Sequence, residues 1–251
     1  MPRQKGIFKV LGTMGDVTFT KTQDGYMVKE KSEVSGTRIA TDPAFARTRE
    51  NASEFGRAGK AGKLLRTAIR ILLQNGKDNR VTSRLTKEMM RVIKADATST
   101  RGLRNVVDGE AELLQGFEFN SNATLGSTLY SPSTAVINRV TGHLDVSILP
   151  FVPVTDIVAP DGTTHFKIVS AGSEIDFENK TFITAESSSA VLPWNATPVA
   201  AINLSNAVTA NSTHPLFLLL GIQFFQQVNG VNYPLKNGAF NALSLVKVSG
   251  V

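Results

Sequence analysis

The chain contains no cysteine, which excludes disulfide bonds, thiolate metal sites and cysteine-based catalysis. Histidine is scarce: His143, His165 and His214 lie far apart, and none has the spacing of a metal ligand. No G-x-S-x-G nucleophile motif and no glycine pattern of a dinucleotide-binding fold occurs. The sequence therefore predicts no catalytic site, cofactor, bound metal or small-molecule substrate, and we expect a protein that is not an enzyme.

Long apolar runs are also absent. The longest apolar block, Pro215–Phe225, is too short to cross a membrane and contains Gln223, so it predicts a buried strand. Met1–Gly12 has basic residues but no apolar run of signal-peptide length. We therefore expect synthesis in the cytoplasm without a standard signal peptide. The final location stays open between the cytoplasm and a larger particle.

Charge is distributed unevenly along the chain. Residues 1–105 contain 22 Lys or Arg against 10 Asp or Glu, whereas residues 106–251 contain 5 against 11. The first region therefore carries a net charge of +12 and the second a net charge of −6. An uneven distribution of charge of this kind indicates something about binding partners rather than about the fold. It predicts that the basic region contacts either a polyanion or the acidic region of another copy.

Residues 5–31 show the pattern of three short strands, a β-meander. The turns are marked by Gly12–Asp16 and by Asp24-Gly25, a pair favoured where both central turn residues need positive φ. A polar connector, Ser32–Pro43, follows, in which Pro43 after Asp42 predicts a helix start. The apolar residues assigned to the strands are, in order, Ile7, Val10 and Leu11; Val17 and Phe19; Tyr26 and Val28.

The segment Glu54–Lys63, EFGRAGKAGK, has a glycine at every third position between basic residues. A phosphate-binding Walker loop is excluded by spacing, because Arg57 stands where its first glycine belongs and Leu64 where Ser or Thr belongs. On a helical wheel the segment and its continuation separate into an apolar and a basic side, which predicts an amphipathic helix. The apolar side contains Phe55, Ala58, Gly62, Leu65, Ala68, Ile69, Leu72 and Leu73, and the basic side contains Arg57, Lys60, Lys63, Arg66 and Arg70.

The glycines of this helix need a reason, because each costs a helix about 1 kcal/mol relative to alanine. We expect that Gly56, Gly59 and Gly62 allow close packing against another backbone.

Asn79–Asp96 repeats the amphipathic pattern after a short turn, Gln74–Asn79. Two helices joined by so short a turn predict a basic helical hairpin, with helix confined mainly to about residues 43–97. Its second apolar face contains Val81, Leu85, Met89, Val92 and Ile93, and its second basic face contains Arg80, Arg84, Lys87, Arg91 and Lys94.

From residue 106 onward the pattern is β, which places a domain boundary near residue 105. About eight strands with turns between them predict an antiparallel sandwich of immunoglobulin-like type and an α+β fold for the chain. We expect Trp194 and Leu218–Leu220 in its core, with Trp194 as an anchor rather than a ligand-stacking residue. The predicted strands are residues 134–140, 143–149, 165–172, 175–184, 189–194, 198–205, 215–230 and 242–248.

Two acidic triplets alternate with other residues: Asp108, Glu110 and Glu112, and then Glu174, Asp176 and Glu178. On a strand, each triplet would project three carboxylates from one face. We interpret both triplets as solvated strand faces opposite the core, and a cation site is the alternative.

The order of elements resembles that of uncharacterised bacterial families known as domains of unknown function. These begin with a strand unit of the pattern KG…G..G…F….DG, continue through a helical segment and end in an immunoglobulin-like domain. The strand-rich N-terminal arm and terminal sandwich also resemble small phage virion and tail components. The resemblance implies this fold order and no catalytic residue. The matching residues are Lys5-Gly6, Gly12, Gly15, Phe19, Asp24-Gly25 and Phe45–Asn51.

Two functions fit these patterns. In the first, copies of the protein assemble into a filament, tube or virion-like particle through strand pairing and contact between basic and acidic regions. In the second, the basic helical faces bind nucleic acid through its phosphates. No aromatic residue occurs in residues 56–116, so that binding would be independent of sequence and without base stacking.

Overall fold

A computed structural model describes residues 1–31 and 34–250, without the side chains of Lys236 and Asn237. The chain is 27% helical and 35% strand, and its sheets are antiparallel, which confirms the predicted α+β class. Its internal contacts divide it into two units, Met1–Asn51 and Ala52–Val251. The boundary predicted near residue 105 falls within the second unit, where the helices before it and the strands after it share one hydrophobic core.

The N-terminal unit contains a three-stranded antiparallel sheet of β1 (Gly12–Met14), β2 (Val17–Thr22) and β3 (Gly25–Glu30), in that order. The prediction that the first strand includes Ile7–Leu11 is wrong. Those residues lie in a loop before β1, where the Gln4 side-chain oxygen accepts a hydrogen bond from the backbone N–H of Val10 at 2.9 Å.

Part of the predicted connector is helical. Ser32 and Glu33 lie outside the described residues. Ser35 caps the N-terminus of α1 (Gly36–Thr41), because its hydroxyl accepts a hydrogen bond from the Arg38 N–H. Asp42 accepts a hydrogen bond from the Ala44 N–H and so caps a 3-10 turn over Pro43–Phe45, which confirms the helix start predicted there.

The second unit begins within α2 (Ala46–Ala68), which is followed by α3 (Arg70–Asn75) and α4 (Val81–Ala95). Glu54–Lys63 lies inside α2, which confirms the helix and excludes the loop. Every residue of the predicted apolar face of α4 is buried. On the predicted apolar side of α2 and its continuation, one residue, Phe55, is exposed. Phe55 is 60% exposed, and Glu54 is 2% exposed because its carboxylate accepts a hydrogen bond from the Gly102 N–H at 2.8 Å.

In the described residues after α4, nine strands and four short helical segments follow. The strands are β4 (Ser133–Asn138), β5 (His143–Ile148), β6 (His165–Asp176), β7 (Thr181–Ser188), β8 (Leu192–Pro193), β9 (Ile202–Ala207), β10 (Leu216–Val228), β11 (Val231–Pro234) and β12 (Ala242–Ser249). They form a six-stranded sheet, ordered β11-β10-β6-β7 with β12 beside β10 and β8 beside β6, and a three-stranded sheet ordered β4-β5-β9. The helical segments are the 3-10 turns Ala111–Leu114 and Leu235–Gly238 and the single turns α5 (Leu125–Thr128) and α6 (Pro153–Asp156).

The sequence located most of these strands but misplaced one and missed another. The predicted strand over residues 175–184 contains a turn between β6 and β7, where Lys180 adopts a φ of 60°. The turn at Asn229-Gly230 joins β10 to β11, a short exposed strand that the apolar pattern did not predict.

The six-stranded sheet is covered on both faces, which explains the continuous apolar run of β10. Leu218 and Leu220 pack with residues of β5 and β9, whereas Phe217 and Leu219 pack with residues of α2 and α4. The prediction that Leu218–Leu220 lie in the core is confirmed, since all three are fully buried. Trp194 is half-buried and packs against the cluster that contains Leu218 and Leu220. Its indole N–H donates a hydrogen bond to the Ile157 carbonyl at 3.3 Å.

Candidate functional site

The basic side of α2 borders an open groove of about 860 Å³. Residues from α2 form one wall, Asn105–Asp108 form another, and the turn between β6 and β7 contributes Phe177, Glu178 and Lys180. The groove lining therefore combines apolar side chains with charges of both signs. Its lining contains Arg57, Lys60, Ala61, Lys63, Leu64, Thr67, Asn105, Val106, Val107, Asp108, Phe177, Glu178 and Lys180.

A second groove of about 500 Å³ adjoins the first, and the two share Lys63 and Thr67. Its lining is more strongly basic and contains one carboxylate, Asp78. We call the two grooves together the α2 groove. The second part is lined by Lys63, Arg66, Thr67, Arg70, Leu73, Gln74, Lys77, Asp78, Asn79, Val81 and Thr82.

Two of the predicted contact residues bind within the chain. The Arg57 guanidinium donates to the carbonyl oxygens of Gly102 and Arg104, at 2.5 Å and 3.2 Å. These bonds, together with the Glu54–Gly102 bond, hold the segment that leads to the groove wall at Asn105. Arg57 therefore positions that wall as well as lining the groove.

Arg84 is held even more tightly. Its guanidinium donates to the Asp78 carboxylate at 2.5 Å and to the carbonyls of Glu118 and Phe119 at 2.7 Å and 3.2 Å. The same group lies over the Phe117 ring, 5.1 Å from its centroid. Both terminal nitrogens of Arg84 therefore already bond within the chain, and the contact of Arg84 with a partner stays a prediction.

The remaining predicted cations differ in their surroundings. Arg66 is half-buried and donates from Nε to the Gly62 carbonyl at 3.2 Å, and Arg91 pairs with Glu88 at 2.7 Å on α4. The other six are exposed; Lys60, Lys63 and Arg70 line the α2 groove, whereas Arg80, Lys87 and Lys94 do not.

The glycines of α2 do not share one role. A Cβ at Gly62 would lie 3.5 Å from Leu85 of α4, so this glycine faces another helix at ordinary packing distance. A Cβ at Gly56 or Gly59 would meet nothing within 4 Å. The prediction of close packing is therefore wrong for Gly56 and Gly59.

Because Gly59 faces open space within a helix, we expect Gly59→Ala to raise the free energy of unfolding by about 1 kcal/mol. Thermal unfolding followed by circular dichroism measures the change. Gly172→Ala is the control with the opposite sign, since its Cβ would lie 2.9 Å from that of Asn206. A loss of stability in Gly59→Ala would contradict the open environment of this position.

The acidic triplets do not form two solvated strand faces. Glu174 and Asp176 lie on β6 and are buried, whereas Glu178 lies in the following turn and Asp108–Glu112 form no strand. Within residues 1–31 and 34–250, no three His, Asp or Glu side chains lie close enough to hold a metal ion.

Glu174 and Asp176 instead hold loops. Burial would raise the pKa of Glu174, but hydrogen bonds from the Ser212 hydroxyl and the Thr209 N–H, at 2.7 Å and 3.2 Å, lower it below its ordinary value. The pKa of Asp176 is lowered chiefly by the hydrogen bond from the Asn179 N–H at 2.9 Å. Both carboxylates are therefore structural.

Sequence reasoning missed the groove residues outside α2. Phe177 and Lys180 come from a turn more than 100 positions away, and no local pattern links them to a helix. Phe177 also brings an aromatic side chain to the basic surface, although its ring packs edge-on against that of Phe217, with 6.2 Å between the ring centroids.

No described helix is long and apolar enough to cross a membrane.

No protein-family model and no curated protein matches the chain. A solved structure concerning pH-induced modulation of Streptococcus parasanguinis adhesion by Fap1 fimbriae is 13% identical, with 47% of this chain and 80% of that chain covered and a TM-score of 0.24. Two structures of a glycosyl hydrolase family 2 member from Bacteroides cellulosilyticus are 11% identical over 42% of this chain, cover 13% and 12% of their own chains, and have TM-scores of 0.21. Similarity this low carries no argument about function.

Proposed function

We propose that the protein is a structural protein that assembles with copies of itself through its N-terminal unit. The observation that carries this proposal is that no described residue of Met1–Asn51 is buried, while Ile7 and Phe8 are 96% and 88% exposed. A small sheet needs a hydrophobic face or packing against a helix to be stable on its own. Burial against another molecule would supply the free energy that this unit's own packing does not.

A second copy of this chain is the partner that the charges favour. Met1–Asn51 contains nine Lys or Arg against six Asp or Glu, and residues 106–251 carry a net charge of −6. The N-terminal unit of one copy is therefore attracted to the acidic region of the next. Such a contact joins two different surfaces, so repeated addition gives a ring or an open filament.

Strand pairing would add to this contact. β1 lies at the edge of the N-terminal sheet, and an edge strand can extend the sheet of a neighbouring molecule through backbone hydrogen bonds. A filament, tube or virion-like particle built in this way requires no catalytic residue. It also agrees with the resemblance of the element order to virion and tail components.

The experiment is light scattering on full-length protein freed of nucleic acid by nuclease. We expect particles far larger than the 27.0 kDa chain at low salt and slower assembly at 1 M salt, where the Debye length falls to about 3 Å. The double variant Ile7→Asp, Phe8→Asp should stay monomeric, because charged side chains oppose burial of this surface.

The matched control is Thr37→Asp, Ala40→Asp, which adds the same charge at exposed positions of α1 and should assemble like the wild type. A wild-type protein that is a monodisperse monomer in low salt would overturn the proposal. Equal loss of assembly in both double variants would show that net charge, rather than the apolar surface, controls it.

We also propose that the two sheets of the second unit form an immunoglobulin-like sandwich. Taken in chain order, β4, β5, β6, β7, β9, β10 and β12 place the first, second and fifth strands in one sheet and the others in the second. This matches the immunoglobulin constant-type order except that the fourth strand pairs with the third instead of the fifth. An experimental structure with a different strand order would contradict it.

A further inference from the structure

The exposed cations of α2 and α3 form a stripe. Lys60, Lys63, Thr67 and Arg70 are all exposed and are spaced by three, four and three residues. With 3.6 residues per turn, this spacing keeps Lys60, Lys63 and Thr67 on one side of α2 over about 10 Å, and Arg70 is the first residue of α3. The exposed cations therefore continue from α2 into α3, with the Thr67 hydroxyl between them.

The α2 groove runs along this stripe and adds cations to it. Lys180 lines its first part and Lys77 lines its second, and both side chains are exposed. Arg66 also lines the second part. Cations therefore line both parts of the groove, although the first part also contains the exposed carboxylates of Asp108 and Glu178. Lys63 and Thr67 join the two parts.

The carboxylate in the second part does not neutralise these cations. Asp78 accepts hydrogen bonds from the backbone N–H groups of Arg80 and Ser121, at 2.6 Å and 2.8 Å, and from Arg84. Burial would raise the pKa of Asp78, but these bonds lower it, so its charge is committed to Arg84 and the backbone. The second part of the groove keeps a positive field.

Helix α4 is a poorer surface for binding an anion. On α4, Arg84 is occupied by Asp78 and two carbonyls, and Arg91 pairs with Glu88. Lys87 and Lys94 remain exposed on α4 but line neither part of the groove. Of the ten cations that the sequence grouped together, five thus line the groove, four lie on α4 away from it, and Arg80 precedes α4.

We infer that the α2 groove binds the phosphate backbone of a nucleic acid without reading its sequence. A row of exposed cations along a groove suits the backbone of a nucleic acid, in which every phosphate carries a negative charge. The groove is open, as a continuous chain requires. Its single aromatic side chain, Phe177, already packs on Phe217, so phosphate contacts supply the affinity.

The test is fluorescence anisotropy of a 20-base-pair DNA duplex and a 20-nucleotide single strand with nuclease-treated, full-length protein. The groove variant is Lys63→Ala, Arg70→Ala, Lys77→Ala, and the matched control is Lys87→Ala, Arg91→Ala, Lys94→Ala on α4. Each removes three positive charges. We expect the groove variant to bind at least tenfold more weakly, whereas the control stays within about threefold of the wild type.

Salt dependence gives a second readout. The slope of log affinity against log salt should fall by about 2 to 3 in the groove variant, since each lost phosphate contact removes about 0.9 for duplex DNA and about 0.7 for a single strand. Should the triple variant not fold, Lys63→Ala and Lys77→Ala, each exposed, carry the same test with a decrease of about 1 each.

Three outcomes would overturn the inference. One is a wild-type protein that binds neither DNA probe at 50 mM salt. Another is an equal loss in the groove and α4 variants, which would indicate attraction to the whole basic surface. The third is tighter binding of polyglutamate than of DNA of equal charge, which would assign the groove to an acidic protein segment.

Discussion

Replacing Arg84 with alanine should lower the free energy of unfolding by about 3 kcal/mol, because removing one member of a largely buried ion pair leaves the other charge uncompensated. Asp78, whose side chain is 5% exposed, would lose its cation, and the carbonyls of Glu118 and Phe119 would lose their donor. The Phe117 ring would also lose a cation from its face. Chemical denaturation followed by circular dichroism measures the loss.

Lys87→Ala is the matched control, since it removes the same charge from an exposed position one turn further along α4 and should change stability by less than about 0.5 kcal/mol. Arg84→Lys should recover only part of the loss, because an ammonium cannot reach a carboxylate and two carbonyls with the fork geometry of a guanidinium. If Arg84→Ala were as stable as the control, Arg84 would be available for a partner after all.

Elements with strong hydrophobic periodicity were predictable from the sequence. The apolar face of α4 is buried at every predicted position, and the apolar run of β10 is a strand buried on both faces. In both, burial of many apolar side chains outweighs any single polar contact. The pattern of such elements therefore depends little on the rest of the chain.

Individual charged residues were not predictable, because their partners lie far away in the sequence. The buried carboxylate of Glu54 accepts a hydrogen bond from the Gly102 N–H. Arg57 donates to the carbonyls of Gly102 and Arg104, which lie 45 and 47 positions further along the chain. A helical wheel ranks side chains by polarity alone. It therefore placed Phe55 on the apolar side and did not include Glu54, although Phe55 is exposed and Glu54 is buried.

The prediction of the first N-terminal strand was wrong for a related reason. Ile7 and Leu11 have the composition of a strand, but strand propensity measures how a side chain packs on a half-buried surface. The N-terminal unit provides no such surface, and both side chains are exposed. The proposed assembly contact accounts for apolar residues at positions that the described part of the N-terminal unit does not cover.

The loop that follows α4 and leads to the groove wall at Asn105 is held by the carboxylate of Asp96. Asp96 is 2% exposed, and its oxygens accept hydrogen bonds from the Thr98 N–H and hydroxyl and the Ser99 N–H, each at 2.9 Å, and from the Asn105 N–H at 3.1 Å. In Asp96→Asn, an amide NH₂ group would face some of these donors. We expect a loss of about 3 kcal/mol in unfolding free energy, since buried donors left without an acceptor cost about 1–3 kcal/mol each.

Asp108→Asn is the control for this substitution, because Asp108 is exposed in the adjoining segment and bonds only at the surface with Asn105, at 2.8 Å. It should change stability by less than about 0.5 kcal/mol. A comparable loss in both variants would indicate a general effect of negative charge near the groove wall rather than the contacts of Asp96.

The effect of Asp96→Asn should also depend on pH. Burial by itself would raise the pKa of the Asp96 carboxyl group, but hydrogen bonds from Ser99, Asn105 and Thr98 hold that pKa well below its usual range. Because the unfolded pKa is about 3.9, the carboxylate's contribution to stability is complete above about pH 5 and is lost as the pH falls through the folded value. The difference in unfolding free energy between the wild type and the variant should therefore stay constant above about pH 5 and shrink below about pH 4. A difference that persists undiminished in strong acid would contradict the assignment of stability to this carboxylate.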